Sequence, residues 1–530
     1  MNATLQRRRT ALGLVSMALG WLGILWSRCI PAAQAMLVSP EPTPLPVATR
    51  LMPRSAASHP FDASMYQAVP TDLAARGYVE EEYLMRGDAR IYDWPAPGEL
   101  KVIAQARYVT RILVRRPKDA SRFSGTVIVE PFNPSADVDL PIMWAESHDY
   151  FMEAGDAWVG VTIKPNTVDA LKRFDPVRYR DLSFPLVRPF TEACRAAEAA
   201  YFADIQLPIP APTLTGETGL AWDILSELGA LLKSKAQHNP LRGLPVERVY
   251  LTGQSQTAGY TRTYASAISP LARLPNGKRI YDGFLGSGHM AWQVPLNNCA
   301  APLPAADPRL ITHALGVPDI EISAQSDLRT NASTRRPDSD APPDLFRHYE
   351  VAGASHVDTW ELASLPDVSD LTRSGVGPSL APTAHCRPSD APISTFPVRY
   401  VFDGAWRNLE RWVRAGIPPP RATFVQMTRV NTSDRTTVLD GLGNAIGGVR
   451  TPYVDVPTAT WRGNRDGPGG CMLLGYSIPF NRERLGALYA SHSEYARKVF
   501  ADVERLQSQR WLTPADANEI VTEARAASVP

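Results

Sequence analysis

The run Val249-Tyr250-Leu251-Thr252-Gly253-Gln254-Ser255-Gln256-Thr257-Ala258-Gly259-Tyr260 takes an apolar strand into Gly-x-Ser-x-Thr and on into a helix-forming stretch. This is the layout of a nucleophile elbow, in which a sharp turn lifts a serine hydroxyl clear of a sheet. A turn held in a sparsely populated backbone region needs small neighbours. Gly253, Thr257, Ala258 and Gly259 supply them, with Thr257 standing where such turns usually have glycine. An ordinary strand-to-turn serine is the plainer reading of Gly-x-Ser-x-Thr alone. The strand before it and the helix after it favour the elbow.

A serine hydroxyl becomes a nucleophile only beside a base, and the base needs an orienting acid. The expected base is His356, in Tyr349-Glu350-Val351-Ala352-Gly353-Ala354-Ser355-His356, where a strand ends in a Gly-x-x-His loop. His289 follows an earlier strand and His385 sits in a proline-rich loop beside Cys386, so both fit less well. The expected acid is Asp327, just past the run Ile320-Glu321-Ile322-Ser323-Ala324. Asp319 and Glu321 lie before or within that strand and point away from its end, while Asp358 is too close to His356 in sequence. An acyl-transfer site also needs donors for the developing oxyanion. Gln256 N–H follows the nucleophile, and the loop Glu130-Pro131-Phe132-Asn133-Pro134-Ser135 offers Phe132, Asn133 and Ser135, of which Asn133 is preferred. Pro131 and Pro134 have no N–H.

The elements that must hold these residues read as strands alternating with helices. Short β-rich runs recur at 108–114, 126–130, 158–163, 248–252, 279–285, 320–323 and 348–351. Several are continuous apolar runs, the signature of strands buried on both faces of a mainly parallel sheet. Gly219–Lys235 places Leu220, Ile224, Leu225, Leu228 and Leu231 on one helical face. Two stretches exceed a minimal sheet: about 80 residues before the Arg248 strand, and a further ~170 after the His348 strand, the lengths of lids or added subdomains. Helices are expected there at Ala405–Ala415 and Arg482–Gln507. The expected organisation is a leader over 1–35, an irregular lead-in over 36–75, a core over 76–360 with an insert at about 166–218, and a C-terminal extension over 361–530 packed on the core.

Composition limits the function classes. The 530 residues are 44% hydrophobic and 21% charged, enough for a large core and too apolar for a disordered chain. A formal charge of +1, from 55 basic and 54 acidic residues, argues against a nucleic-acid partner. Proline, at 48 residues, predicts stiff irregular connections rather than a helix bundle. Arg7, Arg8 and Arg9, the apolar run Ala11–Trp26 and Ala33-Gln34-Ala35 form a signal-peptide pattern, with an uncleaved anchor as the alternative. Its removal takes away four arginines and no acid, so the formal charge falls from +1 to −3. Export would leave Cys194, Cys299, Cys386 and Cys471 in an oxidising compartment. At least one disulfide is expected. Spacing does not choose among three pairings, and Cys299 with Cys386 is the first choice because both follow strands. The absence of C-x-x-C argues against zinc.

The chain resembles the α/β-hydrolase superfamily, and within it a branch described only as alpha/beta hydrolase domain-containing proteins. The resemblance rests on Gly77-Tyr78-Val79-Glu80-Glu81-Glu82-Tyr83, Val129-Glu130-Pro131-Phe132-Asn133, the Ser255 elbow, Tyr281-Asp282-Gly283-Phe284-Leu285, the His356 loop, and Gly443-Asn444-Ala445-Ile446-Gly447-Gly448-Val449-Arg450-Thr451-Pro452. It spans roughly 70–520. It implies an α/β-hydrolase fold with helices on both faces of the sheet, and a serine hydrolase with Ser255, His356 and Asp327 as its triad. No metal or organic cofactor is implied. The substrate is expected to be a small-molecule or polymeric carboxylic ester, with an acyltransferase or amidase, or a non-catalytic binding module, as the alternatives. The Gly447–Pro452 motif is either a tight turn packing the extension on the core or a means of bringing Arg450 to a substrate carboxylate. No stable membrane insertion is expected once the leader is gone.

Overall fold

The computed structural model describes residues 36–530, except 56, 204–214, 290, 292, 305–306, 381–384 and 433. The expected leader over 1–35 therefore lies outside the described residues, as does part of the insert. Among the described residues no helix is long and apolar enough to cross a membrane.

One eleven-stranded sheet organises the chain. Its strands are β1 (Val47–Arg50), β2 (Tyr78–Ala96), β3 (Glu99–Pro117), β4 (Thr126–Pro131), β5 (Ala157–Val161), β6 (Arg248–Gln254), β7 (Gly283–Ser287), β8 (Asp319–Ala324), β9 (Ser339–Ala341) and β10 (Asp344–Val351), with Met36–Leu37 pairing separately on β3. The spatial order is β9-β10-β8-β7-β6-β4-β5-β3-β2-β1. The central run from β10 to β5 is parallel, and the flanking pairs are antiparallel. Every residue of β4, β5, β6, β7 and β8 is buried, which is why these strands read as apolar runs. Gln254 pairs with Ser287, and Ala324 with Val351, so the ends of β6, β7, β8 and β10 open on one edge of the sheet.

The β2–β3 hairpin, 19 residues in each strand, hides charge rather than grease. Glu82 lies 2.5 Å from Arg111 and 2.6 Å from Arg178, and Arg111 also reaches Asp139 at 3.0 Å. Arg115 pairs with Glu80 at 2.9 Å and Asp62 at 3.2 Å, with its guanidinium over the rings of Trp144 and Trp158. All of these side chains except Glu80 are at most 1% exposed. Removing one partner would strand the other, at a cost of about 3–5 kcal/mol. The lead-in expected to be irregular supplies β1 to the edge of this hairpin.

The two faces are covered differently. One face meets the helix Ala221–Leu232, every residue of which is buried. The other meets Ile142–Ala154 and Arg399–Ala415, whose Val401, Phe402, Ala405, Trp406, Leu409 and Trp412 pack with Leu285, Ile320 and Tyr349. The C-terminal extension thus forms one of the sheet's own layers. The helix expected over Arg482–Gln507 is two helices, Arg482–Leu488 and His492–Ser508. Ser491 breaks the run by accepting a hydrogen bond from Glu494 N–H as an N-cap.

The cysteines pair as Cys194–Cys299 and Cys386–Cys471, not Cys299–Cys386. Asn297 donates to Tyr92 O and Asn298 to Gly216 O, while Asn298 Oδ1 accepts from Thr218 N–H. The Asn298 bonds hold Cys299 against the insert that contains Cys194, and the Asn297 bond ties the same loop to β2. Cys386 is instead buried with Cys471 and Leu474. The Cys386–Cys471 bridge closes a separation of 85 residues. Replacing both cysteines by serine should lower stability by about 4 kcal/mol, read as a fall in melting temperature under non-reducing conditions. An unchanged melting temperature would show that the bridge contributes nothing.

Candidate active site

At the end of β6 the backbone turns through Ser255 at φ 57° and ψ −121°, and the helix Gln256–Thr263 begins at the next residue. Such a φ is costly for any residue with a side chain, so the surroundings must enforce it. A Cβ on Gly253 would lie 2.4 Å from Thr257 O, so only glycine fits there. Thr257 takes the usual glycine position because its hydroxyl is used within the turn: it accepts from Gln254 N–H at 3.1 Å and donates to Gln254 O at 2.9 Å. Ser255 N–H donates to Ser287 O at 2.8 Å, tying the elbow to β7.

His356 Nδ1 lies 2.6 Å from Asp327 Oδ1, and both side chains are 3% exposed. The other Asp327 oxygen accepts from Ala324 N–H at 2.7 Å, which fixes the carboxylate at the end of β8. Two bonds lock the histidine loop to its neighbours: Gly353 N–H donates to Gln325 Oε1, and Gln254 Nε2 donates to His356 O. Gly288, at φ +62°, lies beneath the pair. A Cβ there would be 2.7 Å from His356 Cε1 and 2.9 Å from Nδ1, so the imidazole occupies the space that a side chain would need.

The other acids considered from the sequence are placed elsewhere. Asp358 Oδ1 caps the short helix Thr359–Ala363 by accepting from Glu361 N–H. Glu321 faces Arg262 at 2.8 Å, and Asp319 accepts from Thr312. His289 is buried beside Thr334, whereas His385 is exposed on the wall of the cavity described below. Arg450 bonds Asp455 and the Ala445 carbonyl within the extension. Gly448, at φ +73°, leaves room for Glu350 O, and Val449 N–H donates to that oxygen. The glycine motif therefore packs the extension along the end of β10.

The loop after β4 departs from the sequence expectation. Asn133 N–H, the preferred second oxyanion donor, is already bonded to Leu140 O at 2.8 Å. Phe132 N–H goes to Val161 O, and Ser135 N–H to Asn133 Oδ1. Asn133 instead clamps its loop to the elbow through Nδ2 to Gln254 O at 2.9 Å. Gln256 N–H, at the first position of its helix, has no intrahelical acceptor. Below the loop, Glu130 accepts from Met143 N–H, Trp144 N–H and Trp158 Nε1–H. Burial outweighs these donors and pushes its carboxyl up to about 7.

Ser255 and His356 line one cavity of about 280 Å³ with Asn133, Ser135 and Gln254. Its walls are largely apolar, from Leu140, Ile142, Leu362, Leu365, Leu473 and Leu474. Val357 N–H donates to Leu473 O, so the far wall is attached to the histidine loop. A half-buried serine, an imidazole held by a carboxylate, and an apolar chamber can together activate a hydroxyl and accommodate an acyl group.

A family model described as alpha/beta hydrolase domain matches residues 42–522. The chain belongs to the alpha/beta hydrolase domain family. Solved structures similar to this hydrolase include esterase Est22, at 12% identity and a TM-score of 0.25, the match covering 48% of this chain and 66% of that one. An alpha-beta serine hydrolase homologue from Coxiella burnetii matches at 10% identity and a TM-score of 0.24, covering 48% and 87%. XC6422 from Xanthomonas campestris, a serine hydrolase without a lid, matches at 9% and 0.24, covering 47% and 80%. Curated proteins give no match to the hydrolase.

The sequence did not single out Glu361, Leu473 or Leu474 for this cavity. Only Glu361 left a trace in the sequence, an acid five residues after the histidine.

Proposed function

We propose that this hydrolase is an exported serine esterase with Ser255 as nucleophile, His356 as base and Asp327 as orienting acid. The observation that supports it most is the His356–Asp327 hydrogen bond beside the Ser255 elbow, over one apolar cavity. Ser255 Oγ attacks the ester carbonyl while His356 takes its proton. Gln256 N–H stabilises the oxyanion, a contribution of about 3 kcal/mol to the barrier. The intermediate collapses, His356 protonates the departing alkoxide, and the acyl group remains on Ser255. A water then gives its proton to His356 and attacks the acyl-enzyme, releasing the carboxylic acid and restoring the serine. Asp327 holds the imidazole in the tautomer with hydrogen on Nδ1 and stabilises its cation.

Labelling with a fluorophosphonate probe, followed by turnover of p-nitrophenyl esters against matched amides and lactones, tests this reading. Labelling of Ser255 with ester turnover is expected. An unlabelled protein would be a non-catalytic scaffold, and preferential amide cleavage would replace the esterase assignment. The basic, apolar and small-residue pattern over 1–35 supports export, and two disulfides fit that compartment. The Gly443–Pro452 run supports placing the hydrolase in the branch that the sequence resembles.

Gly288 gives a sharper test of the geometry. Gly288→Ala should push the imidazole aside, because its Cβ would meet His356 Cε1 at 2.7 Å. Misplacement of that order costs about 10²-fold in kcat. Wild-type kcat in this variant would mean that the ring need not hold its present position.

A further inference from the structure

We propose that Glu361 is a positioning residue that holds an oxygen atom in the non-reacting arm of the ester by a hydrogen bond. This rests on the Ser255 esterase reading and extends it to a substrate class: esters carrying an ether, keto or hydroxyl oxygen in place of a methylene.

Glu361 lines the same cavity as Ser255 and His356, among Leu362, Leu365 and Leu140. It is only 3% exposed, yet no hydrogen bond to either carboxyl oxygen occurs among the described residues, and Oε2 is fully enclosed. A buried polar group without a partner is expensive. Glu361 N–H is anchored to Asp358 Oδ1 at 2.9 Å, so the helix Thr359–Ala363 holds the side chain at this wall. Desolvation by burial, then the charges of Asp358, Glu130 and Asp327, raise its carboxyl well above the ordinary carboxylate range. In its protonated form, which that environment favours, the group has one O–H to donate and a carbonyl oxygen to accept. A purely alkyl substrate would leave both unused, while an oxygen atom at the right depth would satisfy the O–H. Selectivity of this kind arises where a site is built to bond a substrate's polar atom.

The test uses the full chain and sets of isosteric esters. One set is p-nitrophenyl hexanoate with its propoxyacetate, 3-ethoxypropanoate and 4-methoxybutanoate analogues. The other is hexyl acetate with acetates of the matching oxa-alcohols. The readout is the kcat/KM ratio of oxa-ester to alkyl ester in wild type, Glu361→Leu and Glu361→Gln. The variants share the intrinsic reactivity differences among the esters, so only changes in the ratio count. At one oxygen position the wild-type ratio should exceed that of Glu361→Leu by about tenfold, and Glu361→Gln, which keeps a donor, should retain most of it. A ratio unchanged by Glu361→Leu at every position overturns the proposal. A trimethylammonium-bearing ester is run beside these sets, and a Glu361→Leu loss confined to it also overturns the proposal, since Glu361 would then be an ionised cation site. If Glu361→Leu does not fold, Glu361→Ala replaces it. A wild-type enzyme with no preference at any position overturns the proposal without any variant. Fluorophosphonate labelling of wild type separates the two levels: an unlabelled protein fails the esterase reading, whereas labelling with flat ratios fails only this inference.

Discussion

Replacing Ser255 with alanine is expected to lower ester turnover by about a millionfold and to abolish fluorophosphonate labelling. The fold should survive. The substitution removes one oxygen from a residue whose main-chain position is set by its neighbours, and Ser255 N–H would still donate to Ser287 O. Alanine also tolerates the φ of 57° no worse than serine does. The check is kcat beside a thermal melt. A large fall in both would point to a structural role for the hydroxyl, and turnover near wild type would remove Ser255 from the mechanism.

The second large effect belongs to Asp327. Asp327→Asn keeps the size of the group and can still accept from Ala324 N–H through its amide oxygen. Its amide nitrogen would then face His356 Nδ1, now 2.6 Å from a carboxylate oxygen. A donor there requires Nδ1 to be an acceptor, so the ring hydrogen moves to Nε2, the atom needed to take the serine proton. In other triads this tautomer error costs about 10⁴-fold in turnover, and a similar loss in kcat is expected here. Asp358→Asn should cost far less, since an amide oxygen can still cap Glu361 N–H. Glu321→Gln disturbs a buried pair with Arg262 and should lower the melting temperature more than kcat. Equal losses in Asp327→Asn and Asp358→Asn would show that the imidazole is not oriented by Asp327.

The sequence was most legible where burial is complete on both sides. β4, β6 and β8 read as apolar runs, and Asn133, Ser255 and Asp327 lie within about three residues of their ends. The first half of the hairpin was not read as a strand. Its inward residues include Glu80 and Glu82, which look like surface charges until Arg111, Arg115 and Arg178 come in from distant sequence positions. The cysteine pairing was hidden for a similar reason, because asparagine bonds to remote carbonyls decide which loops meet. The role assigned to Asn133 N–H failed on local detail. Proline positions identified which residues lack a donor, but not that the remaining donors are taken by Leu140, Val161 and Asn133 itself. Glu361 left only its spacing from His356 as a trace, because nothing in the short helix Thr359–Ala363 signals that its carboxyl lacks a partner.

The helix Arg399–Ala415 covers a face of the sheet, and Leu473 holds the histidine loop. These facts bear on the order in which the protein matures. The last central strand of the parallel sheet ends at Val351, yet the wall that encloses Ser255 and His356 is not present until about residue 474 has been added. A chain stopped near residue 360 would expose Leu285, Ile320 and Tyr349 to water and leave the chamber open on one side. Synthesis from the N-terminus therefore supplies the nucleophile early and the enclosure late. On the proposed reading of an exported serine esterase, this would give a delay: Ser255 stays outside a finished chamber until nearly the whole chain has been made.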